Sequence, residues 1–510
     1  MIYKKYRVIT MQVSAFNLKC LGLVAALIFS FHSSAYATED SSPLPNIVVI
    51  LADDLGWNDV GYHGSEISTP HIDRLAAEGV ELDRFYAQPT CSPTRAALMT
   101  GKSPRKLGIS RAIAKNQQLG LGLDERIMPQ YLNTLGYQSL MVGKWHLGNY
   151  TPAYAPPARG FGHFYGFLSG GIGYWDHNHG GGHDWQRNGK TVREEGYATH
   201  LLGDEAVNLI EGYQSKQPLF LYLAMAAPHM PNEAPQASIE KYSHISNPNR
   251  RIHAAMVSEL DDQIGRVIQA LEKRDMLDNT LILFASDNGG LISDDVELAS
   301  TIKKLAGLGT FFFDRPVPIS TLEEFAKFSY DGGSDNGILR GTKTSTLEGG
   351  VRVPALIWWP KQISAGIHAE FISVSDVLPT LLEAVGGSAS IPEDLDGASQ
   401  WRSLSKGEIT AKPDYLVTGF DNVSLFQPPW KLITGDRLEL YNVFTDPTES
   451  VDLGAQYPER VTQMQTIIEN WPAGEERGVE IMEILLDMDT FGGPEDRLPW
   501  AEAAIENAQK

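Results

Sequence analysis

The chain of 510 residues is 42% hydrophobic and 21% charged, a globular composition that suits one large domain and a smaller one. Its 63 acidic residues outnumber 42 basic ones, and the net charge of −21 argues against binding to nucleic acid or to an anionic membrane. Beyond the first forty residues, no apolar stretch is long enough to predict a stable membrane span.

The N-terminal segment has the features of an export signal. Basic residues occur at positions 4–19, an apolar stretch covers 21–31, and the Ala-Tyr-Ala of residues 35–37 fits a cleavage site. We therefore predict a signal peptide at residues 1–37 and a mature protein that is periplasmic or secreted. An uncleaved anchor helix is the alternative interpretation.

The first predicted element of the mature chain is a strand at residues 45–52, a nearly continuous apolar run. Such runs are typical of strands buried on both faces of a parallel sheet. Asp53 and Asp54 follow directly, at the edge where open α/β sheets bind ligands. The paired carboxylates favour a hard divalent cation such as Ca²⁺, and a solvated turn is the alternative.

A helix is predicted at residues 71–79, and another starts near Cys91. The only other cysteine, Cys20, lies in the predicted signal peptide, so the mature chain would hold a lone thiol that cannot form an internal disulfide. Free N–H groups at a helix N-terminus favour an anion. Arg95 follows one turn later and can face the same space. A reactive or buried structural thiol is the alternative.

A helix at residues 127–135 and a strand at 137–142 precede the stretch Gly-Lys-Trp-His-Leu-Gly. If the backbone remains extended beyond the strand, Lys144 and His146 point to the same side, since side chains alternate along a strand. An ordinary surface pair is the alternative.

The segment at residues 149–197 is rich in Gly, Pro, Trp and His. Trp175 and Trp185 enclose three histidines, at positions 177, 179 and 183. Three interpretations are open: a carbohydrate-contacting loop, a purely structural loop, and a second metal site, whose spacing fits no zinc pattern.

The chain then continues with alternating helices and strands. Helices are predicted at residues 200–213 and 251–274, and buried strands at 218–224 and 280–285. His229 follows the first of these strands, and Asp287 and Asn288 follow the second. These side chains are expected at the edge of the sheet that binds ligands.

The remaining elements complete the domain plan. The segment at 291–335 contains three consecutive phenylalanines and a capped helix at 320–325, so we expect it to be ordered and to wall the site. A packing element without contact to substrate is the alternative. After Lys343 we predict a strand at 353–359, a helix at 371–384, short strands at 415–418, 430–433 and 439–442, and a helix at 458–471. The predicted domains are residues 38–409 and a C-terminal sheet-plus-helix subdomain at 410–510.

Five separated motifs resemble those of type I sulfatases, within the alkaline phosphatase superfamily, over residues 45–471. They are Asp53-Asp54, Cys-x-Pro-x-Arg at 91–95, Gly-Lys-Trp-His-Leu-Gly at 143–148, Asp287-Asn288, and the stretch at 339–350 that contains Lys343. The last match is partial, because the family often has an aromatic residue where Leu347 stands and an acidic one where Val353 stands. The fold class is α/β: a large mixed or parallel sheet sandwiched between helices, with a smaller C-terminal α+β domain.

The resemblance implies that a formylglycine-generating enzyme converts Cys91 to formylglycine (3-oxoalanine), whose hydrate is the nucleophile. It further implies a Ca²⁺ ion held by Asp53, Asp54, Asp287, Asn288 and the modified Cys91. Asp287 would also accept the nucleophile's proton, and Arg95 would orient the hydrate. Lys144 and Lys343 would bind sulfate oxygens.

The two histidines would handle protons. His229, with Lys343, would assist the leaving alcohol, and His146 would take a proton when the sulfate is expelled. The implied substrate is a sulfated carbohydrate, whose sugar units beyond the sulfated one would contact the segment at 291–335. A phosphodiesterase or phosphonate hydrolase of the same superfamily is the alternative activity. A catalytically dead, carbohydrate-binding relative is the alternative from another functional class.

Overall fold

The computed structural model describes residues 43–114, 117–179, 182–292, 332–478 and 499–509. The predicted signal peptide and the predicted capped helix at 320–325 lie outside these residues, as does most of the segment at 291–335. The described residues from Pro45 onward belong to one compact unit. No helix among them combines the length and the apolar character needed to cross a membrane.

A mixed sheet of ten strands forms the centre of this unit. In sheet order the strands are β12 (Gly366–Ser373), β2 (Val80–Tyr86), β11 (Ala355–Trp358), β10 (Thr280–Ser286), β1 (Asn46–Ala52), β9 (Leu219–Ala224), β3 (Gln138–Lys144), β4 (His163–Phe167), β7 (Gln186–Arg187) and β8 (Lys190–Thr191). The five strands from β10 to β4 are parallel, whereas β11 and β7 pair with this block in the antiparallel direction. The carboxyl ends of β1, β3, β9 and β10 therefore share one edge of the sheet.

Helices cover both faces of the sheet. The helices of the described residues are, in chain order, α1 (Pro70–Glu78), α2 (Cys91–Thr100), α3 (Met128–Thr134), α4 (Ala198–Glu211), α5 (Gln236–Lys241), α6 (Pro248–Lys273), α7 (Glu348–Val351), α8 (Val377–Ala384), α9 (Trp401–Lys406), α10 (Pro458–Glu469) and α11 (Trp500–Asn507). Alternate residues of β1 face opposite cores, so that Val48 packs with α1, α4 and α6, and Val49 packs with α2, α3 and α8. The predicted fold class is confirmed, because both faces of the mixed sheet are covered.

A second sheet of four antiparallel strands follows in the chain. Its strands are β13 (Tyr415–Thr418), β14 (Val423–Gln427), β15 (Trp430–Thr434) and β16 (Glu439–Asn442), and α10 packs on it through Met464 and Ile468. A hairpin of β5 (Asn178–His179) and β6 (Gly182–His183) is separate from both sheets. The predicted boundary near residue 410 stays a prediction.

The predicted helix at residues 371–384 is wrong in its first half. Residues up to Ser373 belong to strand β12, and α8 begins at Val377. The side chains of Phe371 and Ile372 are buried in the sheet, and most residues of helix α8, which follows, are apolar as well. Because the apolar character continues from the strand into the helix, the sequence did not reveal where the strand ends and the helix begins. Strands β2, β4 and β14 were also missed, since their polar or Gly-containing sequences lack a continuous apolar run.

Candidate active site

The carboxyl ends of β1 and β10 bring two pairs of polar residues together. Asp53 and Asp54 follow β1, and Asp287 and Asn288 follow β10, its neighbour in the sheet. The amide nitrogen of Asn288 donates to Asp54 over 2.7 Å, and the backbone N–H of Asp54 donates to Asp287 over 3.3 Å. All four side chains are buried, so their oxygens require partners within the protein.

Helix α2 directs Cys91 and Arg95 to this group. The Cys91 Sγ lies 3.5 Å from Asp53 Oδ1, and Arg95 donates to Asp287 Oδ2 through Nε over 3.0 Å and Nη2 over 2.7 Å. The same Nη2 lies 3.8 Å from Asp53, so the predicted common orientation of Cys91 and Arg95 is confirmed. Burial, together with the charge of Asp287, raises the pKa of the Cys91 thiol well above its ordinary value.

Two lysines from distant parts of the chain complete the charged group. Lys144, the last residue of β3, donates to Asp53 Oδ2 over 2.6 Å, and Lys343 donates to Asp54 Oδ2 over 2.7 Å. Both ammonium groups are buried. Because each ammonium has three N–H donors, contact with a carboxylate leaves donors for a further oxygen ligand.

The donor set fits a hard cation. Asp53, Asp54, Cys91 and His229 each offer one potential ligand atom, and these atoms lie within 4.8 Å of one another. In addition, Asn288 Oδ1 is buried and has no hydrogen-bond partner in the described part of the chain. A buried carbonyl oxygen without a partner is rare and needs a physical reason. Carboxylate and amide oxygens are the ligands that Ca²⁺ prefers, so a bound Ca²⁺ would supply that partner.

His229 approaches the group from the end of β9. Its Nδ1 lies 2.6 Å from the carbonyl oxygen of Met230, and its Nε2 lies 3.7 Å from Asp54 Oδ2. A carbonyl oxygen can only accept, so Nδ1 carries the hydrogen and Nε2 of the neutral ring carries the lone pair. Burial and the charge of Lys343 lower the pKa of His229 to about 3. The Tyr174 hydroxyl, 2.8 Å from the His229 carbonyl oxygen, holds the backbone of this turn.

His146 follows β3, but the chain is not extended there. Its φ of 58° is left-handed, so the predicted continuation of the strand from Lys144 to His146 is wrong. His146 Nε2 lies 3.1 Å from the carbonyl oxygen of Ile113 and must carry the hydrogen. Its Nδ1 is buried and has no hydrogen-bond partner among the residues described. Burial and the charges of Lys144 and Arg95 lower the pKa of this ring, which favours a neutral imidazole with Nδ1 as its basic nitrogen.

The charges of the site balance in pairs. Its carboxylates are Asp53, Asp54 and Asp287, and its cations are Arg95, Lys144 and Lys343. Burial and the charge of Asp53 raise the pKa of Asp287. At Asp54, burial also acts to raise the pKa, but the charges of Lys343 and its neighbours outweigh it and lower the pKa well below its ordinary range. With equal numbers of opposite charges, the group would attract an anionic ester only weakly, and a divalent cation would change that balance.

The structure thus brings together all ten residues predicted for the site, and it also reveals supporting residues that the sequence did not indicate. The Ser92 hydroxyl donates to the His146 carbonyl oxygen over 2.9 Å and accepts from the Ile113 N–H over 3.1 Å. The Asn336 side chain bonds both the N–H and the carbonyl oxygen of Gly290, just beyond Asn288. Ser92 lies inside the cysteine motif, which could have drawn attention to it; Asn336 had no comparable signal.

Two histidines of the segment at 149–197, His177 and His183, have structural roles. His177 is buried, stacks on Trp185 at a centroid distance of 4.6 Å, and contacts a backbone carbonyl through Nε2. His183 is also buried, and its Nε2 contacts a different carbonyl. Neither belongs to a group of clustered potential metal ligands among the described residues. His179, in contrast, is only half-buried.

Residues 45–387 match the model of the Sulfatase family. The chain is 32% identical to arylsulfatase J of Mus musculus over 476 residues, which cover 81% of this chain and 73% of the relative. It is 32% identical to the N-acetylgalactosamine-6-sulfatase of Homo sapiens over 398 residues, 74% of this chain and 68% of the relative.

Among solved structures, the fold is similar to that of Ps i-CgsB in complex with k-i-k-neocarrahexaose. The TM-score is 0.74 and the sequence identity 31%, over 87% of this chain and 96% of that chain. The match therefore extends over most of both chains.

Proposed function

The chain belongs to the sulfatase family and is a sulfuric ester hydrolase, and we propose that it removes sulfate from a carbohydrate by means of a Ca²⁺ ion and a formylglycine derived from Cys91. The observation that carries the proposal is the position of Cys91. Its Sγ lies 3.5 Å from Asp53, at the first residue of a helix and among buried carboxylates and cations. A nucleophile at this position would lie beside the proposed Ca²⁺ ligands, the cationic side chains and Asp287, the proposed proton acceptor.

We propose that the cation is held by Asp53, Asp54, Asp287, Asn288 and the modified side chain of Cys91. The Oδ1 of Asn288, which has no hydrogen-bond partner among the described residues, and the carboxylate oxygens support a hard oxygen-liganded ion. When bound, the ion would polarise the sulfate group and offset its negative charge.

The modified Cys91 would supply a hydrated aldehyde as the nucleophile. Arg95 is placed to orient it, because its guanidinium is fixed by Asp287 on one side and by the Lys144 carbonyl oxygen, 2.9 Å from Nη1, on the other. Asp287 would accept the nucleophile's proton, since its Oδ2 faces Arg95 and its carboxylate lies in the same buried group as Cys91. Because these partners already hold the Arg95 side chain in one orientation, little conformational entropy is lost when the reaction begins.

Lys144 and Lys343 would bind the sulfate oxygens. Each is buried and is already held by one carboxylate, so its remaining N–H donors are oriented before substrate arrives. Such preorganised donors stabilise charge that develops in a transition state, because no solvent has to rearrange around them.

The two histidines would act at different stages. His146 Nδ1 has a lone pair and no partner in the described structure, which suits it to take a proton when sulfate is expelled. His229 would assist the leaving alcohol together with Lys343; because Nε2 of the neutral His229 ring holds a lone pair, the ammonium group of Lys343 would supply the proton and His229 would orient the departing hydroxyl by accepting its hydrogen bond. The Nδ1 contact to Met230 fixes the ring, so that Nε2 is the nitrogen directed to the site.

The relatives favour a sulfated sugar as the substrate. One relative is named for N-acetylgalactosamine-6-sulfate, and a similar structure contains a neocarrahexaose. We therefore propose sulfated galactose or N-acetylgalactosamine units as the substrate class. Export to the periplasm or beyond, where such polymers would be met, remains our prediction from residues 1–37.

The test is the release of inorganic sulfate by mature protein made together with a formylglycine-generating enzyme. The probes are k-i-k-neocarrahexaose, N-acetylgalactosamine 6-sulfate, para-nitrophenyl sulfate and bis(para-nitrophenyl) phosphate. We expect sulfate release from at least one sulfated sugar and its loss in Cys91→Ala. Faster cleavage of the phosphodiester would favour the alternative phosphodiesterase, and no turnover of any probe would favour the catalytically dead relative.

A further inference from the structure

Three imidazole rings border a pair of glycines at the candidate active site. A methyl group on Gly170 would lie 2.6 Å from His146 Nε2. On Gly171, a methyl group would lie 3.2 Å from His229 Cε1 and 3.4 Å from both Cε1 and Nδ1 of His179. His179 therefore reaches the same point as His229, although it belongs to none of the five motifs.

The backbone of His179 is held in place. It pairs with Gly182 in the hairpin of β5 and β6, and the Trp500 indole donates to the His179 carbonyl oxygen over 3.3 Å. The neighbouring Asn178 carbonyl oxygen accepts the Gly173 N–H over 2.8 Å. These contacts fix the strand that carries the ring, while the ring itself stays half-buried.

The two neighbouring histidines show what a structural role looks like here. His177 and His183 are 1% and 7% exposed, and each ring contacts a carbonyl of its own segment of the chain. His179 differs from both because its ring stands beside Gly171 and His229 and is partly open to solvent.

The position beside His229 indicates which part of a substrate His179 would meet. If His229 assists the leaving alcohol, the oxygen of that alcohol must approach its ring, and the rest of the sugar extends away from that oxygen. A side chain that borders the same point as His229 is then next to the sugar. An imidazole can donate to or accept from a hydroxyl, and it attracts an acidic substituent when protonated.

We propose that His179 is a substrate-binding residue that hydrogen-bonds the sugar carrying the sulfate. The inference rests on the proposed function and names one specificity-determining residue of that site. Because a small aryl sulfate lacks sugar hydroxyls, it cannot use this contact. Binding energy from such non-reacting groups can also stabilise the transition state, so turnover as well as affinity should depend on His179.

The test compares His179→Ala with Asn178→Ala, a change at the adjacent exposed residue. The substrates are para-nitrophenyl sulfate and whichever of neocarrahexaose or N-acetylgalactosamine 6-sulfate the wild type turns over faster. For His179→Ala, we expect kcat/KM to fall at least about tenfold more on the sugar than on the aryl sulfate, the scale of one lost hydrogen bond. For Asn178→Ala, the ratio of kcat/KM on the sugar to kcat/KM on the aryl sulfate should remain as in the wild type. His179→Gln, which retains a donor and an acceptor, should recover part of the loss.

Binding gives a second measurement without turnover. In a Cys91→Ala background, titration calorimetry with the same sugar should show a weaker Kd when His179 is replaced. An active wild type whose variant loses both substrates equally, or neither, would overturn this inference alone. A wild type that cleaves no sulfate ester would overturn the proposed function and this inference with it.

Discussion

The ammonium group of Lys343 lies 2.7 Å from the carboxylate of Asp54, although 289 residues separate them in the chain. Asp54 follows strand β1, and Lys343 lies in the segment before helix α7. The backbone at Lys343 is held by two bonds to other segments: its own N–H donates to the Gly290 carbonyl oxygen over 3.1 Å, and the Thr344 N–H donates to the Pro89 carbonyl oxygen over 2.8 Å. The segment around Lys343 is thus folded tightly enough to fix the direction of its side chain.

Lys343→Met tests whether this charge is used by the reaction. The substitution keeps much of the length of the side chain and removes its donors, so we expect kcat/KM on para-nitrophenyl sulfate to fall at least about a hundredfold, as when one preorganised donor is removed. Lys361→Met is the matched control, since Lys361 is 59% exposed and pairs with Asp278, which is itself 81% exposed. If both substitutions lower kcat/KM equally and only slightly, Lys343 has no role in the reaction.

Chelation tests the proposed Ca²⁺ site. We expect dialysis against a chelator to abolish sulfate release and to lower Tm, and added Ca²⁺ to restore both, because a ligand that binds only the folded state stabilises it. Asn288→Ala should weaken Ca²⁺ binding measured by calorimetry, since it removes the Oδ1 that no other described residue hydrogen-bonds. Full activity of protein that elemental analysis shows to be metal-free would contradict the proposal.

Asp59→Asn tests a buried ion pair beside the site. Asp59 is 0% exposed, accepts from His253 Nε2 over 2.9 Å and Ser334 Oγ over 2.5 Å, and pairs with Arg250. Removing its charge should lower the free energy of unfolding by about 3–5 kcal/mol, the usual cost of breaking a buried pair. Glu66 is the second carboxylate that pairs with Arg250, and it is 43% exposed. Glu66→Gln should therefore lower the free energy of unfolding by less than about 1 kcal/mol.

The same variant has a pH signature. Burial acts to raise the pKa of Asp59, but the charges of His253 and Arg250 outweigh it and lower the pKa well below its ordinary value. The stabilisation is therefore present above the unfolded pKa of about 3.9 and is lost as pH falls towards the folded pKa. Urea unfolding should show the difference between wild type and Asp59→Asn shrinking below about pH 4. A difference that stays constant through this range would show that the carboxylate charge is not its source.

Lys431→Met tests the connection between the four-stranded sheet and helix α7. The Lys431 ammonium, on β15, is 0% exposed and lies 3.0 Å from Glu348 and 2.7 Å from Glu449, both also buried. The substitution leaves two carboxylates without their cation, so we expect the free energy of unfolding to fall by about 3–5 kcal/mol. Adding Glu449→Gln should recover part of the loss, because one buried charge is then removed. A double variant no more stable than the single one would argue against the electrostatic explanation.

The sequence predicted the site better than it predicted the sheet. Four residues of the site, Asp53, Asp54, Asp287 and Asn288, come directly after β1 and β10, which are apolar along their length, and parallel neighbours bring their carboxyl ends to one edge of the sheet. Strand β2 could not be recognised in this way, since Glu81, Asp83 and Arg84 interrupt its apolar pattern and its partners, β11 and β12, come much later in the chain.

Conformations that depend on distant contacts were likewise hidden. The left-handed backbone of His146 goes with bonds to Leu168 and Ile113, neither of which lies near it in sequence. His179 could be noticed as one histidine among three, but only the folded hairpin separates it from its structural neighbours. Motif spacing gives residue types and order, whereas the approach of His179 to Gly171 depends on tertiary packing.

The central claim is that the nucleophile comes from Cys91, and one measurement tests it most directly. Protein should be prepared with graded amounts of a formylglycine-generating enzyme. In each preparation, peptide mass spectrometry of residues 85–105 gives the fraction of Cys91 converted to the aldehyde, and sulfate release gives kcat per total protein. We predict that kcat rises in proportion to the converted fraction and extrapolates to zero for the unmodified thiol. Full turnover by protein whose Cys91 is an ordinary thiol would contradict it.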